Sequence, residues 1–77
     1  MKKKDEITNP QSCLTKADPE EMLFVLLARD IAAPSTIRFW AKQRVQLGLN
    51  EDNDAKIVEA LACATAMETQ HSKGDFL

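Results

Sequence analysis

The sequence predicts an all-α protein: a small three-helix domain, residues 18–71, set between a flexible N-terminal arm, 1–17, and a flexible tail, 72–77. Three observations predict it. Only two Gly and three Pro occur in 77 residues, beside abundant Ala and Leu, which favours helices over sheets. Helix-start signals recur at Asp18-Pro19, at Pro34 and across Asn50–Asp54. Apolar residues at three-and-four spacing follow the second and third of these signals. A chain of this length holds one domain, close to the lower limit for independent folding, where dense packing, staples or a partner are needed.

Residues 1–17 are polar and aperiodic, with Pro10 among them, and read as the arm. Lys2-Lys3-Lys4 imitates the start of a signal peptide, but Asp5, Glu6, Thr8, Asn9 and Pro10 stand where the apolar stretch belongs. The longest apolar run, Met22 to Ala28, is far too short to span a bilayer. Neither standard secretion nor membrane insertion is therefore expected. Cys13 and Cys63 form no C-x-x-C pair and read as reduced thiols in a cytoplasmic compartment.

The first helix is expected over 19–30. Asp18 can cap it, Pro19 suits its first position, and Glu21 stands three residues after the cap as in a capping box. Glu20 and Glu21 also match the positive end of the helix dipole. The run Met22-Leu23-Phe24-Val25-Leu26-Leu27 would equally suit a buried strand, and the capping signal decides for helix. On a helix these six side chains point nearly all round, and such a helix must be covered all round. A second copy of the chain, through Phe24 and Val25 with Phe39 and Gln43 near the rim, is the expected cover, with an unidentified protein partner as the other candidate.

The second helix is expected over 34–47, opened by Pro34 and closed by Gly48. Ile37, Trp40, Ala41 and Leu47 gather on one side. Arg44 falls within that apolar arc, which suits a stem laid along Trp40 and a guanidinium reaching an acid such as Asp30. The third helix is expected over 53–70, with Ile57, Ala60, Leu61 and Ala64 at helical spacing. The expected core is Leu23, Leu26, Leu27, Ile37, Trp40, Ala41, Ile57, Leu61 and Ala64.

No catalytic, metal or cofactor-binding residue is expected. Asn50, Asp52 and Asp54 alternate as in a calcium loop, but Ala55 replaces the turn glycine and Leu61 the bidentate glutamate. One His and two scattered Cys make no zinc site. Ser35 and Thr36 lack partners for nucleophilic chemistry, and no glycine-rich phosphate loop exists. The net charge of −2 is unevenly spread. Arg38, Lys42 and Arg44 sit in a stretch without acids, while Glu51, Asp52, Asp54, Glu59, Glu68 and Asp75 make the last third acidic. Arg38, Lys42 and Gln46 form the alternative, a nucleic-acid-reading face on the second helix. Acids on the third helix would repel phosphate, so nucleic acid is disfavoured as a partner.

The segment Leu23-Phe24-Val25-Leu26-Leu27-Ala28-Arg29-Asp30, followed by Ala33-Pro34 and Arg38-Phe39-Trp40-Ala41, resembles small uncharacterised proteins of bacteriophage, prophage and mobile-element settings. The likeness extends to the Lys56–Met67 region and covers about two-thirds of the chain. The resemblance implies a phage or mobile-element context and carries no activity. The expected function is that of a non-enzymatic accessory or regulatory protein acting through protein–protein contact, with a small DNA-binding regulator as the alternative. A subunit completing another chain's active site is the third class.

Overall fold

The structure, a computed structural model, describes residues 1–73 as helices joined by turns and one irregular segment, with no strand among them. The all-α class and three helical stretches are as predicted. The first stretch is split into α1, Lys3–Thr8, and α2, Cys13–Lys16; α3 runs Ala33–Gln46 and α4 Ala55–Lys73.

Helix α3 begins where the sequence places it, and Asp30 helps to start it. Asp30 Oδ1 accepts from Ala32 N–H at 2.9 Å and its carbonyl accepts from Ala33 N–H at 3.0 Å. Pro34 then occupies the first turn, where no backbone donor is missed. Gly48 ends the helix at φ 73°, with Leu49 N–H reaching Arg44 O and Gly48 N–H reaching Val45 O, both at 3.0 Å. These two bonds are the six-to-one and five-to-two closures of a Schellman cap, which needs a left-handed residue at this position.

A relay of side chains holds the turn into α4. Arg44 lies over Trp40, its guanidinium carbon 5.8 Å from the ring centroid, as the sequence suggests. Its polar partner is Asn50 and not Asp30: Arg44 Nε donates to Asn50 Oδ1 at 2.7 Å. Asn50 Nδ2 passes the chain on to Asp54 Oδ2 at 3.0 Å, which also accepts from Glu51 N–H at 2.9 Å. Asp54's backbone carbonyl takes the N–H groups of Ile57 and Val58, so α4 starts two residues later than the sequence suggests. It runs on through Lys73, past the expected end at 70; residues 74–77 of the expected tail lie outside the described residues.

The helix expected over 19–30 does not form. Its capping signal is realised only as one turn: Asp18 N–H donates to Glu21 Oε1 at 3.1 Å and Glu21 N–H to Asp18 O at 3.0 Å. Met22 to Leu27 then follow an irregular path. A helix here would carry an apolar belt that two neighbours cannot cover, and Phe24 and Val25 are weak helix formers. The irregular path instead half-buries Leu26 and Ala28 and brings them to a groove beside Ala62, Cys63, Ala66 and Met67 of α4.

The stretch expected to be an arm holds α1 and α2. Ser12 joins them: its hydroxyl donates to Glu6 O at 2.6 Å and accepts from Thr15 N–H at 3.1 Å. The first bond reaches back to α1, and the second caps α2.

The buried apolar core consists of Ala33 and Ala41 of α3 with Ile57, Ala60 and Ala64 of α4. Of the expected core, Ala41, Ile57 and Ala64 are buried, and Leu26 and Ile37 are half-buried. Trp40 and Leu61 are each 40% exposed, and Leu23 and Leu27 each 54%. The physical reason is the missing helix. Without it, α3 and α4 meet mainly through small residues and Ile57, and among the described residues none seals Trp40 and Leu61.

Candidate interaction surface

Phe24, Val25, Phe39 and Gln43 are all exposed, Phe24 to 87% and Phe39 to 63%. Two elements position them. Phe39 and Gln43 stand one turn apart on α3 and share its outer face. Phe24 and Val25 belong to the irregular segment, not to a helix as the sequence suggests.

The apolar surface is wider than the sequence indicates. Met22 and Ile31 are more than four-fifths exposed, and Leu47, Leu49 and Val58 are exposed as well. Leu47 carries the correct helical spacing for the core, yet it is the residue at which α3 ends, beyond the last buried turn. Ile31 sits in the turn before α3 and belongs to no periodic pattern that could have placed it.

Arg38, Lys42 and Gln46 recur every fourth residue of α3, and all three border a shallow groove against α4. Arg38 is engaged there. Its Nη2 meets Glu68 Oε1 at 2.6 Å and its Nη1 meets Glu68 Oε2 at 2.9 Å, a two-pronged pair between α3 and α4. The hydrogen bond from Arg38 holds the Glu68 carboxyl below its ordinary range, and the same bond raises the Arg38 guanidinium. Asp52 lines the same groove. The charge available to a phosphate is thereby reduced to Lys42 beside nearby acids.

Asp54 is likewise occupied. Hydrogen bonds from Asn50 and from Glu51 N–H hold its carboxyl below the ordinary range. Among the described residues no group of three or more His, Cys, Asp or Glu is placed to hold a metal ion. No described helix is long and apolar enough to cross a membrane. Cys13 is exposed, Cys63 is half-buried, and both are free thiols.

No protein-family model matches the chain, and no curated protein or solved structure matches it at a significant level.

Proposed function

We propose that this chain is a non-enzymatic accessory or regulatory protein that acts by associating with protein, its first partner being a second copy of itself. One observation carries the reading: four of the five buried apolar core residues are alanines, while Met22, Phe24, Val25, Ile31 and Phe39 face outward. Burying a Phe and a Val contributes about 3–6 kcal/mol, a large share of what a domain of this size has available. A two-fold partner hides the same patch twice, and is the simplest cover.

Phe24, Val25, Phe39 and Gln43 are the proposed contact residues. The resemblance carried by residues 23–41 supports a phage or mobile-element setting, and two free cysteines suit a cytoplasmic compartment. A nucleic-acid role for α3, through Arg38, Lys42 and Gln46, is the weaker reading because Glu68 already takes up the Arg38 charge.

Sedimentation at roughly 100 µM tests the proposal, with melting followed over a hundredfold range of concentration. The expected result is twice the 8.6 kDa chain mass and a melting midpoint that climbs with concentration. A monomer whose midpoint ignores concentration would overturn it.

A further inference from the structure

Helices α1 and α2 form a unit of their own. The Ser12 and Thr15 hydroxyls both donate to Glu6 O, at 2.6 and 3.4 Å, and tie the two helices together. The hydrogen bonds of residues 2–17 all stay within those residues, and among the described residues no ion pair joins them to α3 or α4. Ala17 leaves α2 in an extended conformation, at φ −61° and ψ 141°. Rotation there turns the unit as one piece and breaks no hydrogen bond.

The start of α1 faces α4 across a groove of about 510 Å³. Lys2 and Lys3 are the bases of its lining, Glu59 is its one acid, and Ala62, Cys63 and Ala66 supply a wall of small side chains. Among the described residues neither the two ammonium groups nor the Glu59 carboxylate has a hydrogen-bond or ion-pair partner. Lys56, one turn before Glu59, lies outside the lining and makes no pair with it. Opposite charges thus stand on opposite walls of an open groove, unpaired.

We infer that α1 and α2 act as a lid on this face of α4, closing by rotation at Ala17 and pairing Lys2 and Lys3 with Glu59. The structure shows the open arrangement. Lys3 and Ile7 stand one turn apart on α1 and share a face, so Ile7, 58% exposed, comes down with Lys3 onto the small side chains of α4. Hiding that side chain from water favours closure, and the charges set its direction. Exposed ion pairs are worth little, so the lid exchanges between open and closed and does not lock. Closure covers Cys63, half-buried in the open form, together with the α4 wall beside Leu26. The device lies within one chain and does not depend on self-association.

Cys63 reports on the lid in a Cys13→Ser protein, through its rate of reaction with an uncharged maleimide. At about 10 mM salt the lid should slow that reaction, and about 500 mM salt should speed it by screening the pairs. Lys2→Glu with Lys3→Glu, or Glu59→Lys alone, should raise the low-salt rate about two- to fivefold, and combining all three should restore the protection. The three positions are exposed, so helical circular dichroism should be unchanged in each variant. A rate indifferent to salt and to charge reversal would overturn the lid and leave self-association standing. Protection that appears only as the protein is raised from about 1 µM to about 100 µM would also overturn it, by assigning the cover to a second copy.

Discussion

Arg38 and Glu68, thirty residues apart in the chain, join α3 to α4 by two hydrogen bonds of 2.6 and 2.9 Å. Their side chains are about half exposed, so the pair aligns the helices more than it stabilises them. Glu68→Gln should lower the melting midpoint slightly, and added salt should shrink the difference between variant and parent.

The same contact sets a dependence on acid. Because the Glu68 and Asp54 carboxyls lie below their ordinary ranges, their contributions are complete above the unfolded values of about 4. They are lost as pH falls through the folded values. Melting midpoints measured from pH 7 down to pH 2 should decline mainly in the acid limb, and Asp54→Asn should flatten part of that decline.

Asn50 is the middle of the Arg44–Asn50–Asp54 relay and has no substitute within it. Asn50→Ala should cost about 1–2 kcal/mol in urea unfolding, since it leaves the part-buried Arg44 Nε without its acceptor and removes one of the two donors to Asp54 Oδ2. Asn50→Asp should be milder, keeping the acceptor for Arg44 while setting a second carboxylate beside Asp54.

Gly48 ends α3 at a positive φ with open space around its missing side chain. The cost of Gly48→Ala is therefore conformational alone, about 1 kcal/mol, and Gly48→Asn should cost less. Equal losses for Ala and Asn would point to a steric cause that the open surroundings do not provide.

Ala60 and Ala64 lie between the helices, whereas Ala62 and Ala66 are exposed. Ala64→Leu should destabilise by about 1–3 kcal/mol through overpacking, and Ala62→Leu by little. Chemical denaturation of the two variants side by side reads the difference.

The legible parts of this fold are those written in single residues. Pro34 and Gly48 bracket α3 because one fits a first turn and the other a left-handed cap, whatever surrounds them. Ile57, Ala60 and Ala64 place the buried stripe of α4 by spacing alone. The stacking of Arg44 on Trp40 followed from their one-turn separation, but its partner Asn50 lies across a turn whose path no periodicity encodes. Asp18 and Glu21 misled for a related reason. A capping box can nucleate a turn, but propagation depends on what covers the next residues, and Met22 to Leu27 had no cover. Ser12 was invisible as a cap because α2 is four residues long, too short to show a repeat. Of the proposed contact residues, the exposure of Phe39 was foreseeable from Lys42, Gln43 and Gln46 on its side of α3, whereas that of Phe24 was expected from a helix that does not form. Their division between an irregular segment and a helix was not.

The helix pair meets across a turn confined to residues 47–54, so its partners are near neighbours along the chain. Such local topology closes quickly, and refolding of the pair should be complete within about milliseconds in a stopped-flow experiment. The ribosome, however, makes Met22–Leu27 before either helix. During synthesis Leu26 lacks the α4 side of its groove until α4 emerges, and Met22, Phe24 and Val25 stay exposed even then. Arresting translation between α3 and α4, which leaves the buried face of α3 without its partner helix, should raise chaperone occupancy of the nascent chain, and completing α4 should lower it.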